Sequence, residues 1–291
     1  MKIDAHHHLW DLKAVHYPWL MADGVERFFG NPKPIQRNYL INEFKKSAKR
    51  HEITGSVHIQ VGAEDPLQEA RWVQKVAEAQ PNWPLVQVAF CDLTSADLET
   101  RLDELQQLPT LRGVRQIIGR APGEDAQTGT NTLLNDARFL QGLKTVSERG
   151  LSFDLQLIPE LMNKTAMVLC QVPELKVALC HAGSPHDRSK QGLGNWAQEL
   201  GSLSQLPNVY CKLSGLGMFD HNWTNKSIAP IINTCLEQFG KDRLMFGSNF
   251  PVDSLYSDYD TLFTALWNAV PTEWQEAVFG TNAVLFYKIS E

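Results

Sequence analysis

The first apolar stretch of the chain leads into Asp4-Ala5-His6-His7-His8-Leu9-Trp10. Met1 to His6 reads as a short strand, and side chains on a strand alternate between its two faces. We therefore expect His6 and His8 to point to one face and His7 to the other. Two imidazoles at such a strand end can bind a metal ion or transfer a proton. Their early position places them on the first strand of a predicted barrel.

Short apolar runs alternate with amphipathic stretches along the chain. The predicted strands are Lys2–His6, Gly55–Gln60, Leu85–Phe90, Gly113–Ile118, Ser152–Leu157, Lys176–His181, Val209–Leu213 and Arg243–Gly247. The predicted helices are Gln36–Arg50, Pro66–Ala79, Ser95–Gln107, Asp136–Glu148, Glu160–Cys170, Ser189–Leu203, Ser227–Phe239 and Tyr256–Trp267. Eight strands alternating with eight helices predict one α/β domain over residues 1–291, a somewhat distorted (β/α)8 TIM barrel. A doubly wound open sheet is the competing architecture, but no GxGxxG follows a predicted strand.

A long loop follows the first predicted strand. Residues 9–35 contain several aromatic side chains before the first helix begins, so we expect a lid-like loop at the barrel mouth. Within it, Trp10 and Trp19 either stack on a substrate ring or pack the lid. Residues 119–129 form a second polar loop, after the fourth strand. A last short helix begins at residues 280–283 and is expected to close the bottom or side of the barrel.

The composition excludes several classes of partner. A net charge of −6, a pI near 5.9 and the lack of a basic run argue against nucleic-acid binding. No run reaches the ~18 apolar residues of a membrane span, and polar residues interrupt the N-terminus where a signal peptide needs an apolar core. The five cysteines show no CxxC spacing, which indicates reduced thiols in a cytoplasmic protein. The expected partner is a small-molecule substrate. The oligomeric state stays open, a homodimer being one option.

Polar side chains stand at the ends of most predicted strands, where a barrel of this class has its active site. They are His6 and His8, Gln60, Arg115, Asp154 and Gln156, His181 and, after strand eight, Asn249 and Asp253. The three histidines suit Zn²⁺ as ligands. A neutral imidazole near pH 7 can equally act as acid or base without a metal. The sequence therefore leaves open one divalent metal such as Zn²⁺, or none.

The predicted substrate-binding group centres on Arg115. An arginine that faces the barrel interior needs an anionic partner or a polar ligand. Arg115 therefore either anchors a substrate carboxylate or carbonyl oxygen, or pairs with a buried aspartate, Asp154 or Asp253. Gln60 and Gln156 are expected to hydrogen-bond substrate hydroxyls. Asp154 is included in the same binding group.

Six motifs, in chain order, resemble the amidohydrolase-related family. They are Asp4-x-His6-x-His8-x-Trp10, Gly113-Val114-Arg115, Asp154-Leu155-Gln156-Leu157, His181-Ala182-Gly183-x-Pro185, Lys212-Leu213-Ser214-Gly215 and Phe246-Gly247-Ser248-Asn249-Phe250-Pro251. The chain is most similar to the lactonase-like branch, which includes L-fuconolactonase, L-rhamnonolactonase, 4-sulfomuconolactonase and 2-pyrone-4,6-dicarboxylate lactonase types. The resemblance implies a distorted TIM barrel that hydrolyses sugar-acid or related lactones. It also implies a site built from the strand-one and strand-six histidines, here His6, His8 and His181, and a strand-eight carboxylate.

One position departs from the family pattern. The resemblance implies Gly-Ser-Asp-Trp-Pro after strand eight, with the aspartate as metal ligand or general base, whereas this chain has Asn249 followed by Phe250. An amide takes no proton at neutral pH and is a poor metal ligand beside imidazoles. Three consequences are open: Asp253 supplies the carboxylate, a histidine is the base without a metal, or hydrolysis has been lost.

Taken together, the residues and the resemblance predict a hydrolase of carbohydrate catabolism that opens a lactone ring. Histidine and Arg115 would polarise the carbonyl, and His181 or Asp253 would activate water. A metal-dependent decarboxylase and a non-catalytic barrel that binds a sugar acid are the alternatives. The predicted catalytic positions are His6, His8, His181, Asp253 and Asn249.

Overall fold

The computed structural model describes residues 1–290, apart from the side chains at positions 127, 130 and 131. Eight parallel strands, hydrogen-bonded in the order β1 to β8, form a nearly closed barrel. The strands are β1 Lys2–His7, β2 Ile53–Ile59, β3 Leu85–Phe90, β4 Leu111–Arg115, β5 Ser152–Leu155, β6 Val177–Leu179, β7 Val209–Leu213 and β8 Leu244–Phe246. The predicted TIM barrel is confirmed. The open doubly wound sheet is excluded because its strand order would reverse at a switch point.

Helices surround the barrel. They are α1 Pro18–Met21, α2 Ile41–Ala48, α3 Pro66–Glu78, α4 Leu98–Gln106, α5 Pro122–Thr128, α6 Ala137–Glu148, α7 Met162–Leu169, α8 Lys190–Ser204, α9 Asn225–Phe239, α10 Tyr259–Ala269 and α11 Asn282–Tyr287. Several helices begin at a side chain that caps their first turn. The Asp65 carboxylate, for example, accepts hydrogen bonds from two backbone N–H groups of α3. The predicted polar loop 119–129 contains α5, which begins at Pro122 because proline suits the first turn of a helix. No helix of the described chain is long and apolar enough to cross a membrane.

The barrel interior is apolar at its amino-terminal end. Buried side chains from β1, β2, β3, β6 and β8 form one cluster there with residues of α11: Ile3, Ala5, Val57, Ile59, Val86, Val88, Ala178, Met245, Ala283, Phe286 and Tyr287. The last helix thus closes the bottom of the barrel, as predicted. Most of the polar side chains that line the cavity stand at the other end of the strands, so this apolar cluster lies below the site.

Strand β1 changes phase along its length. Ile3 and Ala5 face the interior, and regular alternation would then turn His7 inward as well. Register shifts between Asp4 and His7 mark a β-bulge, and His7 instead stacks on Phe44 of α2, with ring centroids 3.9 Å apart. The histidines on either side of His7 consequently face the interior, as predicted, although through an irregularity that the sequence did not reveal.

Residues 9–40 form a folded wall at one side of the barrel mouth. The backbone groups of Trp10 and Tyr39 pair with each other at 3.0 Å in both directions. The Trp10 indole donates to the Arg37 carbonyl at 2.6 Å, and the Trp19 indole donates to the Val61 carbonyl at 2.7 Å. These contacts tie the wall to itself and to the segment after β2. Its movement as a lid stays a prediction.

Candidate active site

The carboxyl ends of the strands open into a cavity of 590 Å³. Six predicted site residues line it: His8, Gln60, Arg115, Gln156, His181 and Asn249. Four others, Trp10, His6, Asp154 and Asp253, are buried and do not contribute to its lining. Because all strands are parallel, residues that lie far apart in the sequence meet at this end of the barrel.

The His8 imidazole is neutral and fixed in one tautomer. Its Nδ1 donates to the Ile59 carbonyl at 2.7 Å, and burial, with the Arg115 charge, lowers its pKa to about 3. Nε2 therefore keeps a lone pair, 3.2 Å from Oδ1 of Asn249. Nε2 and Oδ1 are both acceptors and cannot hydrogen-bond to each other. We therefore assign the Asn249 amide in the turned orientation, in which Nδ2 donates to Nε2 of His8. The Asn249 side chain also lies beside the Asp253 carboxylate.

His6 lies behind the cavity wall, between the other two histidines. Its ring centroid is 5.2 Å from that of His8 and 4.5 Å from that of His181. Within residues 1–290 neither nitrogen of the His6 ring has a hydrogen-bond partner. Burial and the neighbouring charges lower its pKa well below the ordinary value, so the ring is neutral. Gly247 leaves it room, since a Cβ there would lie 2.6 Å from the Cβ of His6.

His181 follows β6 in a left-handed turn. Residues 181–184 all have φ between +51° and +69°, so the strand ends at Leu179 and not at His181 as predicted. Ser214 holds the ring: its Oγ lies 3.3 Å from the backbone nitrogen of His181 and 3.0 Å from Nδ1. Gly215 is required beside the ring because a Cβ would come within 2.3 Å of Nδ1. Left-handed backbone at non-glycine residues is costly and clusters at functional sites.

The chemistry of His181 follows from this environment. Burial, followed by the Arg115 charge, lowers its pKa well below the ordinary value. The ring is therefore neutral at pH 7, with one nitrogen held by Ser214 and the other, Nε2, without a side-chain partner among the described residues. An imidazole in this state accepts a proton from a bound water.

After β8, the Asn249 amide lines the cavity, whereas the Asp253 carboxylate is buried behind the cavity wall. Asn249 has φ +56°, which asparagine tolerates, and its N–H donates to the His6 carbonyl at 2.7 Å. Asp253 is 1% exposed, and its carboxylate lies beside the Asn249 side chain and the backbone N–H groups of Gly215 and Gly217, which favour its charged form. Burial raises the pKa of Asp253 to about 7. It therefore titrates near neutral pH without touching the cavity.

Arg115 is a buried cation without a carboxylate partner. Its Nη2 donates to the Gln60 carbonyl at 2.6 Å and its Nη1 to Oε1 of Gln156 at 3.3 Å. Nε has no partner, and no carboxylate of residues 1–290 lies within 4.0 Å of the guanidinium. Of the two alternatives for Arg115, an ion pair with Asp154 or Asp253 is therefore not found among the described residues. An unsatisfied buried guanidinium suits an anionic or strongly polar ligand.

Asp154 lies in an internal ion pair. Its Oδ2 accepts from Nζ of Lys212 at 2.5 Å, and both side chains are fully buried. The Tyr287 hydroxyl, from α11, donates to Oδ1 at 2.9 Å. Asp154 was predicted to bind substrate, but these partners occupy it away from the cavity. A single lysine within Val209–Leu213 was a visible signal for Lys212, whereas nothing in the sequence indicated Tyr287.

The same carboxylate belongs to a possible metal-ligand group. Among the described residues, donor atoms of His6, Asp154 and Cys180 lie within 4.8 Å of one another, and transition metals accept such a set. However, the Lys212 ammonium already neutralises the carboxylate, and both Lys212 and Arg115 act electrostatically on His6. A divalent cation would face these two like charges. The residues therefore do not fit a resident divalent metal at this position.

The predicted ligand set of three histidines meets the same difficulty. Burial is the main cause that lowers the pKa of His6, His8 and His181, and the Arg115 charge lowers all three further, so it opposes positive charge at each ring. Asn249 stands where a carboxylate would offset a metal charge. These histidines fit proton transfer better than metal binding.

The remaining predicted residues divide between lining and support. Gln60 borders the cavity, but its amide oxygen accepts a backbone N–H two residues on at 2.8 Å. Gln156 lines the cavity as the acceptor of the Arg115 hydrogen bond. Trp10 is fully buried, whereas Trp19 borders the cavity. Of the two tryptophans, Trp19 is therefore the one placed to contact a ligand.

Comparisons with known proteins establish the family of this chain. A family model described as amidohydrolase matches residues 3–289. The chain is 37% identical over 298 residues to the uncharacterized protein y4mH of Sinorhizobium fredii (strain NBRC 101917 / NGR234), covering 99% of this chain and 98% of that protein. It is 25% identical over 307 residues to an L-fucono-1,5-lactonase of Burkholderia multivorans (strain ATCC 17616 / 249), covering 100% and 97%. A crystal structure of an amidohydrolase from Burkholderia multivorans with bound zinc superimposes with a TM-score of 0.84 at 23% identity, over 100% of both chains. The chain therefore belongs to the amidohydrolase family.

Proposed function

We propose that the chain hydrolyses a sugar-acid or related lactone, with His181 as the base and Arg115 as the donor to the carbonyl oxygen. The observation that carries this proposal is the buried, unpaired Arg115 guanidinium in the same cavity as a neutral His181. Ester hydrolysis needs these two functions: a base for water and a positive donor for the developing oxyanion.

The proposed reaction uses these two groups in turn. Nε2 of His181 removes a proton from water while the water oxygen attacks the ring carbonyl carbon. Arg115 donates to the carbonyl oxygen, which becomes an oxyanion in the tetrahedral intermediate. The intermediate collapses as the bond between the carbonyl carbon and the ring oxygen breaks. The proton held by His181 passes to the ring oxygen, so one water and one lactone give one hydroxy acid.

The other lining residues position the substrate. The Asn249 amide lines the cavity and can hydrogen-bond a ring hydroxyl, whereas both His8 nitrogens are engaged, Nδ1 by the Ile59 carbonyl and Nε2 by the turned amide. Gln156 holds Arg115 in place through its amide oxygen. The similarity to an L-fucono-1,5-lactonase supports a lactone as the substrate class.

Decarboxylation is the second candidate. Arg115 would then hold a substrate carboxylate, a role that its unfilled Nε donor also suits. Release of CO₂ distinguishes the two reactions. A barrel that only binds a sugar acid would show neither product.

The test is a pH-indicator assay of the purified protein on 1,4- and 1,5-lactones of six-carbon sugar acids and on muconolactones, run beside a CO₂ assay. We expect acid release without CO₂. The Arg115→Gln variant should lose roughly 10²–10³-fold in kcat/KM, the usual cost of one oxyanion donor. Arg112→Gln is the control, because Arg112 lies on the same strand but donates to the Pro109 carbonyl at its other end. CO₂ release, or equal rates for the wild type and Arg115→Gln, would contradict the proposal.

A further inference from the structure

A second arginine lines the cavity at a more exposed level than Arg115. The Arg120 side chain is 24% exposed, and burial is the main cause that lowers its pKa. In the part of the chain that the structure describes, its guanidinium makes no side-chain hydrogen bond. Its ion-pair contact is long, 3.5 Å from Nη1 to Oε1 of Glu124. Arg120 therefore presents unfilled donors to a half-buried space.

Arg27, from the wall of residues 9–40, stands beside it. Its Nη2 lies 2.8 Å from the same Glu124 oxygen, and it also borders the cavity. One carboxylate oxygen thus serves two guanidinium groups. The Asp125 carboxylate adds negative charge nearby, where it accepts the Arg120 backbone N–H at 2.8 Å, but it does not line the cavity.

The cavity lining is consequently cationic at two depths. Arg115 is inside, and Arg120 with Arg27 lies further out. Glu64 is the acidic residue among the described lining residues, and its carboxylate is 70% exposed and 3.1 Å from His16. A ligand that binds both sets of arginines needs an electron-rich oxygen for Arg115 at one end and an anionic group for Arg120 and Arg27 at the other.

We propose that the substrate is a lactone with an anionic group outside the ring, a carboxylate or a phosphate, bound by Arg120 and Arg27. The ring carbonyl lies at Arg115. This inference rests on the proposed lactone hydrolysis and names its substrate class. The planar guanidinium of Arg120 can donate two parallel hydrogen bonds to either anion, which a neutral hydroxyl or methyl group could not accept equally well.

A purely structural role for the same arginines makes a different prediction. Arg27, Glu124 and Arg120 would then only clasp the wall onto α5. Loss of the clasp would affect every substrate to the same extent, because it would change the wall and not a contact with one substituent. The ratio of kcat/KM between two substrates therefore separates the two roles.

The experiment uses lactones of one configuration that differ at carbon six. L-Fuconolactone carries a methyl group there, L-galactonolactone a hydroxymethyl group and galactarolactone a carboxylate; the 6-phosphate of L-galactonolactone is the fourth probe. We expect roughly 10- to 100-fold higher kcat/KM for an anionic probe, the effect of one hydrogen bond to a charged group. A higher value for the carboxylate or for the phosphate identifies the anion, and either supports the proposal. Equal values for all four probes would overturn it.

Arg120→Gln tests the residue itself. In Arg120→Gln we expect the ratio of kcat/KM for the anionic probe to that for the neutral probe to fall below about threefold. Arg120→Lys should give an intermediate ratio, because lysine keeps the positive charge but cannot donate two parallel hydrogen bonds. Arg101→Gln is the matched control, since Arg101 pairs on the exposed surface of α4. Thermal unfolding of each variant establishes that it folds. An unchanged ratio in a folded Arg120→Gln variant would refute the subsite.

Calorimetry separates this proposal from the reaction itself. If no lactone is hydrolysed, the proposed function is wrong. The subsite can then still be tested by measuring the affinity of the protein for the open-chain acids. Galactarate should then bind roughly tenfold or more tightly than L-galactonate, and Arg120→Gln should remove that difference. Equal binding of the two acids by the wild type would overturn the subsite independently of catalysis.

Discussion

The Asp4 carboxylate joins the two ends of the barrel sheet through Ser248. Its Oδ1 accepts the Ser248 backbone N–H at 2.9 Å, and the same oxygen accepts the His6 N–H at 3.1 Å. The His6 contact spans the β1 bulge, and the Ser248 contact lies directly after β8. One buried carboxylate thus stabilises the irregularity that turns His6 and His8 inward and also closes the barrel beside them.

Replacing Asp4 should therefore affect stability and the site together. Asp4→Ala leaves the two buried N–H groups and the Tyr259 hydroxyl, which donates to Oδ2 at 3.0 Å, without acceptors, which should lower the free energy of unfolding by about 2–4 kcal/mol. Asp4→Asn keeps an acceptor oxygen for both N–H groups and should lose clearly less. Urea unfolding and kcat/KM on the best lactone measure both effects. Equal losses in the two variants would show that the charge matters and the acceptor geometry does not.

His181→Ala should reduce kcat/KM by roughly 10²–10⁴-fold, the usual contribution of a general base. Ser214→Ala should lose less, because the ring remains but its Nδ1 loses the hydroxyl partner at 3.0 Å. Since burial holds the pKa of His181 well below its ordinary value of 6.5, the acid limb of the wild-type profile should lie well below pH 6.5. His186→Ala is the control, a histidine paired with Glu160 on the surface. Wild-type activity in His181→Ala would remove it from the mechanism.

Asp253 should make stability depend on pH. Its pKa is about 7 in the folded chain against 3.8 for the free group, so the folded state binds this proton more tightly. The resulting stabilisation is complete below pH 3.8 and is lost as the pH rises through 7. Relative to the wild type, Asp253→Asn should gain up to about 3 kcal/mol between pH 5 and pH 8, since one pKa unit is about 1.4 kcal/mol. Urea unfolding at both pH values measures this difference; a constant difference would mean that Asp253 stays ionised throughout.

The barrel was readable from the sequence because its strands are buried on both faces. Strands β3 and β7 have the predicted bounds, and the eight predicted helices each have a counterpart within a few residues. The site residues could be predicted for a related reason, because polar residues at the strand ends stand out against the apolar strands. His8, Arg115 and His181 were found in this way, without any knowledge of their mutual distances.

What the sequence did not show depends on local backbone geometry and on distant pairs. The β1 bulge and the left-handed turn at residues 181–184 change side-chain direction without a change in residue pattern. The partnership of Asp154 with Lys212 and Tyr287 joins residues 58 and 133 positions apart. Arg120 stands in a loop, where neither periodicity nor strand position marks a site residue.

Lactone hydrolysis should survive removal of divalent metals. The Lys212 ammonium and the Arg115 guanidinium supply positive charge where a metal would otherwise be needed. We expect unchanged kcat/KM after dialysis against EDTA or dipicolinate, and less than about 0.1 equivalent of zinc by mass spectrometry, since these charges oppose metal binding. Addition of Zn²⁺ to the dialysed protein is the control. Activity lost with chelator and restored by Zn²⁺ would contradict this expectation.

Lys212→Met should be among the most destabilising single changes in the chain. It removes the partner 2.5 Å from the Asp154 carboxylate and leaves that charge buried, at a cost of about 3–5 kcal/mol. The double variant Lys212→Met, Asp154→Leu should recover most of this loss, because it removes the unpaired charge and retains similar volume. Lys33→Met is the matched control, since it breaks an exposed pair with Asp23 at 2.9 Å and should cost at most about 1 kcal/mol. Urea unfolding of the four proteins measures these differences. If the double variant were no more stable than Lys212→Met, the loss would come from the packing of the lysine side chain and not from its charge.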